Sequence, residues 1–173
     1  MTDATWAEFE AAAPGMAARG RELLYRGGDG EAMLVTVRGD SPPRLHPVNA
    51  GVVDGHLYTF AQAKSAKRTD LDEDGRYALH THYDPRAPHE FMLRGRARRV
   101  DDQALRGAVA ASWFFNAKDY PLYELLIEHA LLGHRPTADD WPPVYSSWKA
   151  SVTQADSSRR PPAGARSPAA SGP

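Results

Sequence analysis

Residues 44–71 read RLHPVNAGVVDGHLYTFAQAKSAKRTDL, and this stretch decides the fold. Arg44 to Val53 is one extended run, Asp54-Gly55 is a two-residue turn signal, and His56 to Ala61 is a second run, which together predict a hairpin. Pro47 falls inside the first strand. It has no N–H to give to a ladder, so it predicts a free edge or a bulge there. A short helix follows, with Ser65 as its N-cap. Its charge order is reversed. Lys64, Lys67 and Arg68 crowd the first turn, where the positive end of the helix dipole favours acids, and Asp70, Asp72, Glu73 and Asp74 come at the far end. Two arrangements account for the reversal. One is an anion such as a phosphate, held by the cations, the hydroxyl and free N–H groups. The other is a solvated surface helix.

Outward from this stretch the period changes twice. Residues 5–26 are helical, with Thr5 and Glu8 at capping-box spacing and Trp6, Phe9, Ala13 and Met16 at helical intervals. Pro14-Gly15 splits them into two short helices, and the Gly-Gly-Asp-Gly run at 27–30 ends the region. Strands are expected over Glu31–Arg38, Arg76–Tyr83 and His89–Val100, with Tyr77, Leu79, Thr81 and Tyr83 on one face. Gly95 within the last of these marks a bulge or a close backbone approach. Asp101 or Asp102 caps a helix reaching about Asn116. Residues 122–135, LYELLIEHALLGHR, suit helix by length and strand by context. Val144 to Val152 is a last strand. The expected organisation is a helical segment at 1–29, a β domain at 30–152 and a disordered Ser/Arg/Pro/Ala/Gly tail at 153–173. Closely spaced strands joined by hairpins predict a mainly β chain: an antiparallel sheet curled into a barrel, with peripheral helices.

Composition narrows the function. At 173 residues the chain suits one domain with a sizeable core, and its formal net charge of -1 gives no field for nucleic acid or an anionic membrane. It has no cysteine, which excludes disulfides, thiolate catalysis and cysteine-ligated metal. No apolar run approaches the roughly 20 residues of a membrane span. The opening MTDATWAEFEAAAPG lacks a basic-then-apolar signal pattern, so a soluble, cytoplasmic protein is expected.

Other groups carry weaker signals. His80 and His82 share a strand face near His89, but no carboxylate or thiolate at ligand spacing accompanies them, and no metal site is expected. Arg94, Arg96 and Arg98 form a period-two stripe, either the solvated side of a strand or a recognition site for an anionic tail. Trp113, Phe114 and Phe115 are core, dimer interface or the roof of a pocket.

The order of these segments resembles a known family. A strand carrying Arg44-Leu45-His46-Pro47-Val48, a hairpin, Leu57-Tyr58-Thr59, Lys64-Ser65-Ala66-Lys67 opening a helix, then Glu90-Phe91-Met92-Leu93-Arg94-Gly95-Arg96-Ala97 is similar to the pyridoxamine 5'-phosphate oxidase-like split-barrel proteins. The resemblance implies a six-stranded antiparallel split barrel, a homodimer, and FMN in a groove between subunits. It implies that Lys64, Ser65, Lys67 and Arg68 hold the FMN phosphate. Arg44, Leu45, His46, Pro47 and Val48 would border the isoalloxazine ring, with Tyr58 and Thr59 beside them and Glu90 where the oxidases carry a glutamine. The implied activity is flavin-dependent oxidoreduction of a small molecule; a non-catalytic carrier of flavin, deazaflavin or haem is the alternative. Two departures stand out. The chain lacks the terminal Arg and His pair that grips pyridoxine phosphate, which argues against a true pyridoxamine 5'-phosphate oxidase, and it has Asn49 where those oxidases have lysine.

Overall fold

A computed structural model describes residues 3–137 and 139–151. The expected tail at 153–173 lies outside the described residues. Two helices, α1 (Trp6–Ala12) and α2 (Pro14–Leu24), precede three strands, β1 (Glu31–Thr36), β2 (Arg44–Val53) and β3 (His56–Phe60). Helix α3 (Ala66–Glu73), strands β4 (Arg76–Thr81) and β5 (Glu90–Val100), helix α4 (Gln103–Ala111), and strands β6 (Leu122–His134) and β7 (Val144–Lys149) complete the chain.

Local rules fix many of these boundaries. The Thr5 N–H and the Glu8 carboxylate close the α1 capping box at 2.7 Å, and Pro14 opens α2. Asp54 and Gly55 both have positive φ, 48° and 78°, as a primed hairpin turn between β2 and β3 requires. Asp102 caps α4, which ends at Ala111, five residues short of the expected Asn116, because the chain turns at Ser112 to bring its aromatic residues onto the sheet. The ambiguous segment 122–135 is a strand. Leu125 and Ile127 alternate inward, and a partner strand lies along either side of it.

All strand pairings are antiparallel, and β1-β2-β3-β6-β5-β4 close on themselves as a six-stranded barrel with β7 added outside. The closure between β3 and β6 is short: Tyr58 opposite Glu124, Thr59 opposite Tyr123, Phe60 opposite Leu122. Farther along the same edge of β6, Ala4 exchanges two backbone hydrogen bonds with Ile127, and β7 takes over from His129 to His134. The edge of β6 therefore serves three segments in turn, and that is where the barrel splits. Trp6 and Phe9, wholly buried, fill the split and meet Phe91 from β5 at ring separations of 6.3 Å. They join Leu34, Leu79, Leu93, Leu125 and Ile127 in one core, so α1 packs as part of the barrel.

Gly95 shows both expected features. The β5–β6 register slips between Arg94 and Gly95, and a Cβ on Gly95 would lie 2.0 Å from the Leu126 carbonyl oxygen. Of the expected face on β4, Tyr77, Leu79 and Thr81 are buried, while Tyr83 lies beyond the strand and is 47% exposed. No helix among the described residues is long and apolar enough to cross a membrane.

Candidate functional site

β2 pairs with β1 along Arg44–Asn49 but with β3 only from Ala50 onward. Its first half therefore has a free edge, which is where Pro47 can sit without breaking a ladder. The freed backbone is used. Lys67 on α3 reaches across and donates from Nζ to the Pro47 carbonyl at 3.2 Å. Together with the end of β3 and the turn after α4, this edge makes a groove of about 190 Å³. Its walls are Pro47–Asn49, Phe60–Gln62, Lys67 and the aromatic residues Trp113, Phe115 and Tyr120. A hollow of about 350 Å³ lies on the other side of Pro47–Asn49, bounded by Glu31, Met33 and His82. The free edge of β2 is the ridge between the two.

α3 is held against this edge by ion pairs. Asp70, 1% exposed, takes Arg44 Nη1 at 2.9 Å and the Thr36 hydroxyl at 2.8 Å. With its proton given to Asp70, Thr36 Oγ1 accepts from His46 Nε2 at 3.2 Å, which places the imidazole proton on Nε2. Burial lowers the His46 pKa, and the nearby Lys67 charge lowers it further. Asp72 pairs with Arg68 at 2.9 Å and accepts from Tyr123 Oη at 2.6 Å, and Asp74 pairs with Arg76 at 2.6 Å. At the other end of α3, Ser65 Oγ accepts from Arg68 N and donates to Gln62 O. Lys64 is exposed and has no bonded partner among the described residues. Burial lowers the pKa of Lys67, which pairs with no carboxylate among the described residues.

The structure thus brings together Pro47, Val48 and Lys67 in the groove wall, with Ser65 and Lys64 at the start of the same helix. Arg44 and His46 lie one step away, engaged with Asp70 and Thr36. Leu45, 61% exposed, points outward from the barrel. Thr59 is buried and donates to the Asn49 carbonyl at 2.9 Å, bracing the groove from beneath. Tyr58 lies instead on the outer face of β3, stacked near His56, and burial raises its pKa. Glu90 is three strands round the barrel from β2, where Tyr145 Oη donates to it at 3.4 Å. The arginine stripe is internally paired in part: Arg96 faces Glu128 and Arg98 faces Glu124 across β6. Among the described residues no group of three or more His, Cys, Asp or Glu side chains could hold a metal ion.

Sequence reasoning did not single out Phe60, Gln62 or Tyr120 as groove residues, nor Asp70 as the anchor of α3. Gln62 had a signal, since it lies two residues past the end of β3, which closes the groove. Asp70 beside Leu71 had a weaker one, as both fall on the stripe of α3 that is buried.

The fit to a planar, anionic cofactor is mixed but sufficient. The free edge offers backbone groups, the aromatic side chains offer a wall, and two lysines are without acidic partners among the described residues. Ser65 and Arg68 are already engaged by the protein, leaving Lys64 and Lys67 as the cations for a phosphate.

No family model and no curated protein matches the chain. Solved structures do. A NimC/NimA family protein from Clostridium acetobutylicum aligns with a TM-score of 0.55 at 13% identity, over 74% of this chain and 91% of that one. A protein from the same organism, related to general stress protein 26 and of the pyridoxinephosphate oxidase family, aligns at 0.54 with 13% identity, over 75% and 95%. A haem-binding protein from Mycobacterium smegmatis aligns at 0.54 with 17% identity, over 75% of this chain but only 57% of that longer one. The closed barrel, the added strand and these likenesses agree: the chain has the split-barrel fold of the pyridoxamine 5'-phosphate oxidase-like proteins.

Proposed function

We propose that this protein binds FMN in the groove beside the free edge of β2 and serves as a flavin-dependent oxidoreductase for a small molecule. The observation that carries the reading is the groove itself, where an unpaired strand edge, an acid-free lysine and an aromatic wall converge on one space. Lys64 and Lys67 would take the phosphate, and the backbone of Pro47–Asn49 would border the ring. A bound flavin supplies the hydride or electron transfer, and the protein supplies placement, exclusion of water and electrostatics. Lys67, held by the Pro47 carbonyl, adds positive charge beside that edge, and burial lowers the pKa of His46 behind it.

A homodimer belongs to the same reading. Two adjacent rows of outward side chains run across the sheet: Pro47, Met33, His80, Met92 and Leu131, and beside them Leu45, Val35, Ala78 and Arg94. Outward positions on a solvated sheet are normally polar, and most of these are not. This face borders Pro47, so a second copy seated on it would roof the groove. The test is gel filtration after incubation with FMN. Flavin should elute with protein at dimer size, and Met33→Glu should move the protein to monomer size and release most of the flavin. A monomer that keeps its flavin would refute the shared site.

A second reading is haem carriage, favoured by the likeness to the Mycobacterium smegmatis haem-binding protein. His82, on the wall of the larger hollow, is then the candidate axial ligand.

A further inference from the structure

The outer face of the sheet is ordered by charge. β5 turns Glu90, Met92 and Arg94 outward, while Phe91 and Leu93 between them are buried. Met33, His80 and Met92 are in register across β1, β4 and β5 and form a mainly apolar middle row. On one side of it, two residues along β1 and β5, stand the acids Glu31 and Glu90. On the other side runs the row Val35, Ala78 and Arg94, which continues through His129 to Lys149. Like charges set opposite each other across ladders repel, so this row is costly as it stands. Burial lowers the pKa of His129, and the charges of Arg94 and Lys149 on either side lower it further. Farther along β5, Arg96 has Glu128 and Arg98 has Glu124, but Arg94 pairs with no carboxylate among the described residues. Glu90, for its part, has only the Tyr145 hydroxyl, at 3.4 Å.

We propose that a second copy of this chain docks on this face about a two-fold axis running across the strands along the Met92 row, and that Arg94 of each copy pairs with Glu90 of the other. Glu90 and Arg94 lie on one strand, two residues to either side of Met92. This axis therefore exchanges their positions and closes two equivalent ion pairs, as an isologous interface requires. It also sets Met33 and Met92 against their own counterparts, which gives the interface an apolar middle and a charged rim. An axis along β4 would instead place Glu31 opposite Glu90 of the second copy and leave each Arg94 facing Val35, so charge selects the first arrangement. The inference rests on the homodimer reading above and fixes its orientation.

Charge reversal tests the pairing. Glu90→Arg, Arg94→Glu and the double variant carrying both are compared with the wild-type chain by sedimentation velocity over a dilution series. Cooperative thermal unfolding certifies that each variant is folded. Each single reversal puts like charges together at both pairs, so the dimer dissociation constant should rise about tenfold or more. The double variant restores opposite charges across the interface and should return to within about threefold of wild type, a coupling that two independent sites would not show. Single reversals that leave the dimer unchanged, or a double variant no tighter than the singles, would overturn the Glu90–Arg94 pairing and leave the homodimer standing. A wild-type chain that stays monomeric throughout the series would overturn the homodimer reading and this orientation with it.

Discussion

The two ends of α3 behave oppositely, although one short helix carries both. At its C-terminal end every acid is engaged: Asp70 by Arg44 and Thr36, Asp72 by Arg68 of the same helix and by Arg99 and Tyr123, Glu73 by Arg38, Asp74 by Arg76 and the Gly39 N–H. At its N-terminal end Lys64 has no bonded partner among the described residues, and Lys67 has only a carbonyl. The reversed charge order thus has two causes. The acids are there to dock the helix onto β1, β2 and β5. Lys67 is left in the groove wall, and Lys64 is left exposed at the start of the same helix. Only the second fact bears on a ligand.

This contrast predicts that the acidic end governs stability and the basic end governs binding. The largest effect should come from Asp70→Ala, which leaves the Arg44 guanidinium and the Thr36 hydroxyl without their shared partner. A loss of about 3 kcal/mol is expected by urea denaturation; a loss near zero would erase the distinction between the two ends. Lys64→Ala combined with Lys67→Ala should leave stability within about 0.5 kcal/mol. The same pair should weaken FMN by about tenfold or more, since charge-assisted hydrogen bonds to a phosphate are lost. Equal binding by the double variant would place the phosphate elsewhere.

The smallest effect is a pH dependence. Burial depresses the folded-state pKa of His46, and also of His89 and His129, below the usual 6.5. Between the unfolded value and these lower folded values the unfolded chain binds more protons, so stability falls as the pH drops below about 6.5 and is level above it. His46→Gln should flatten part of that slope in urea midpoints measured across the window. An unchanged slope would mean that His46 does not contribute.

Much of the fold could be read from local chemistry. The Asp54-Gly55 turn, the Thr5 capping box, the Pro47 edge and the Gly95 bulge each follow from one residue's backbone preference, and all four stand in the structure. What resisted reading depends on distant partners. Residues 122–135 become a strand because β5 and β3 supply ladder partners from elsewhere in the chain. Asp70 looked like one acid among four, and only closure of the barrel buries it against Arg44. Of the candidate groove, the residues named from sequence are Pro47, Val48, Lys67 and, with other roles left open, Trp113 and Phe115. Its aromatic wall was one of three readings left open for Trp113 and Phe115, because they reach the groove by a turn after α4 that no pattern announces.

The measurement that bears most directly on the central claim is an absorbance comparison. The purified protein is incubated separately with FMN and with haem, desalted, and scanned. Retention of the two visible bands of an oxidised flavin, at one flavin per chain and lost in the Lys64/Lys67 double variant, is the predicted result. A protein colourless after FMN but carrying a Soret band after haem would contradict the flavin assignment and move the ligand to the hollow beside His82.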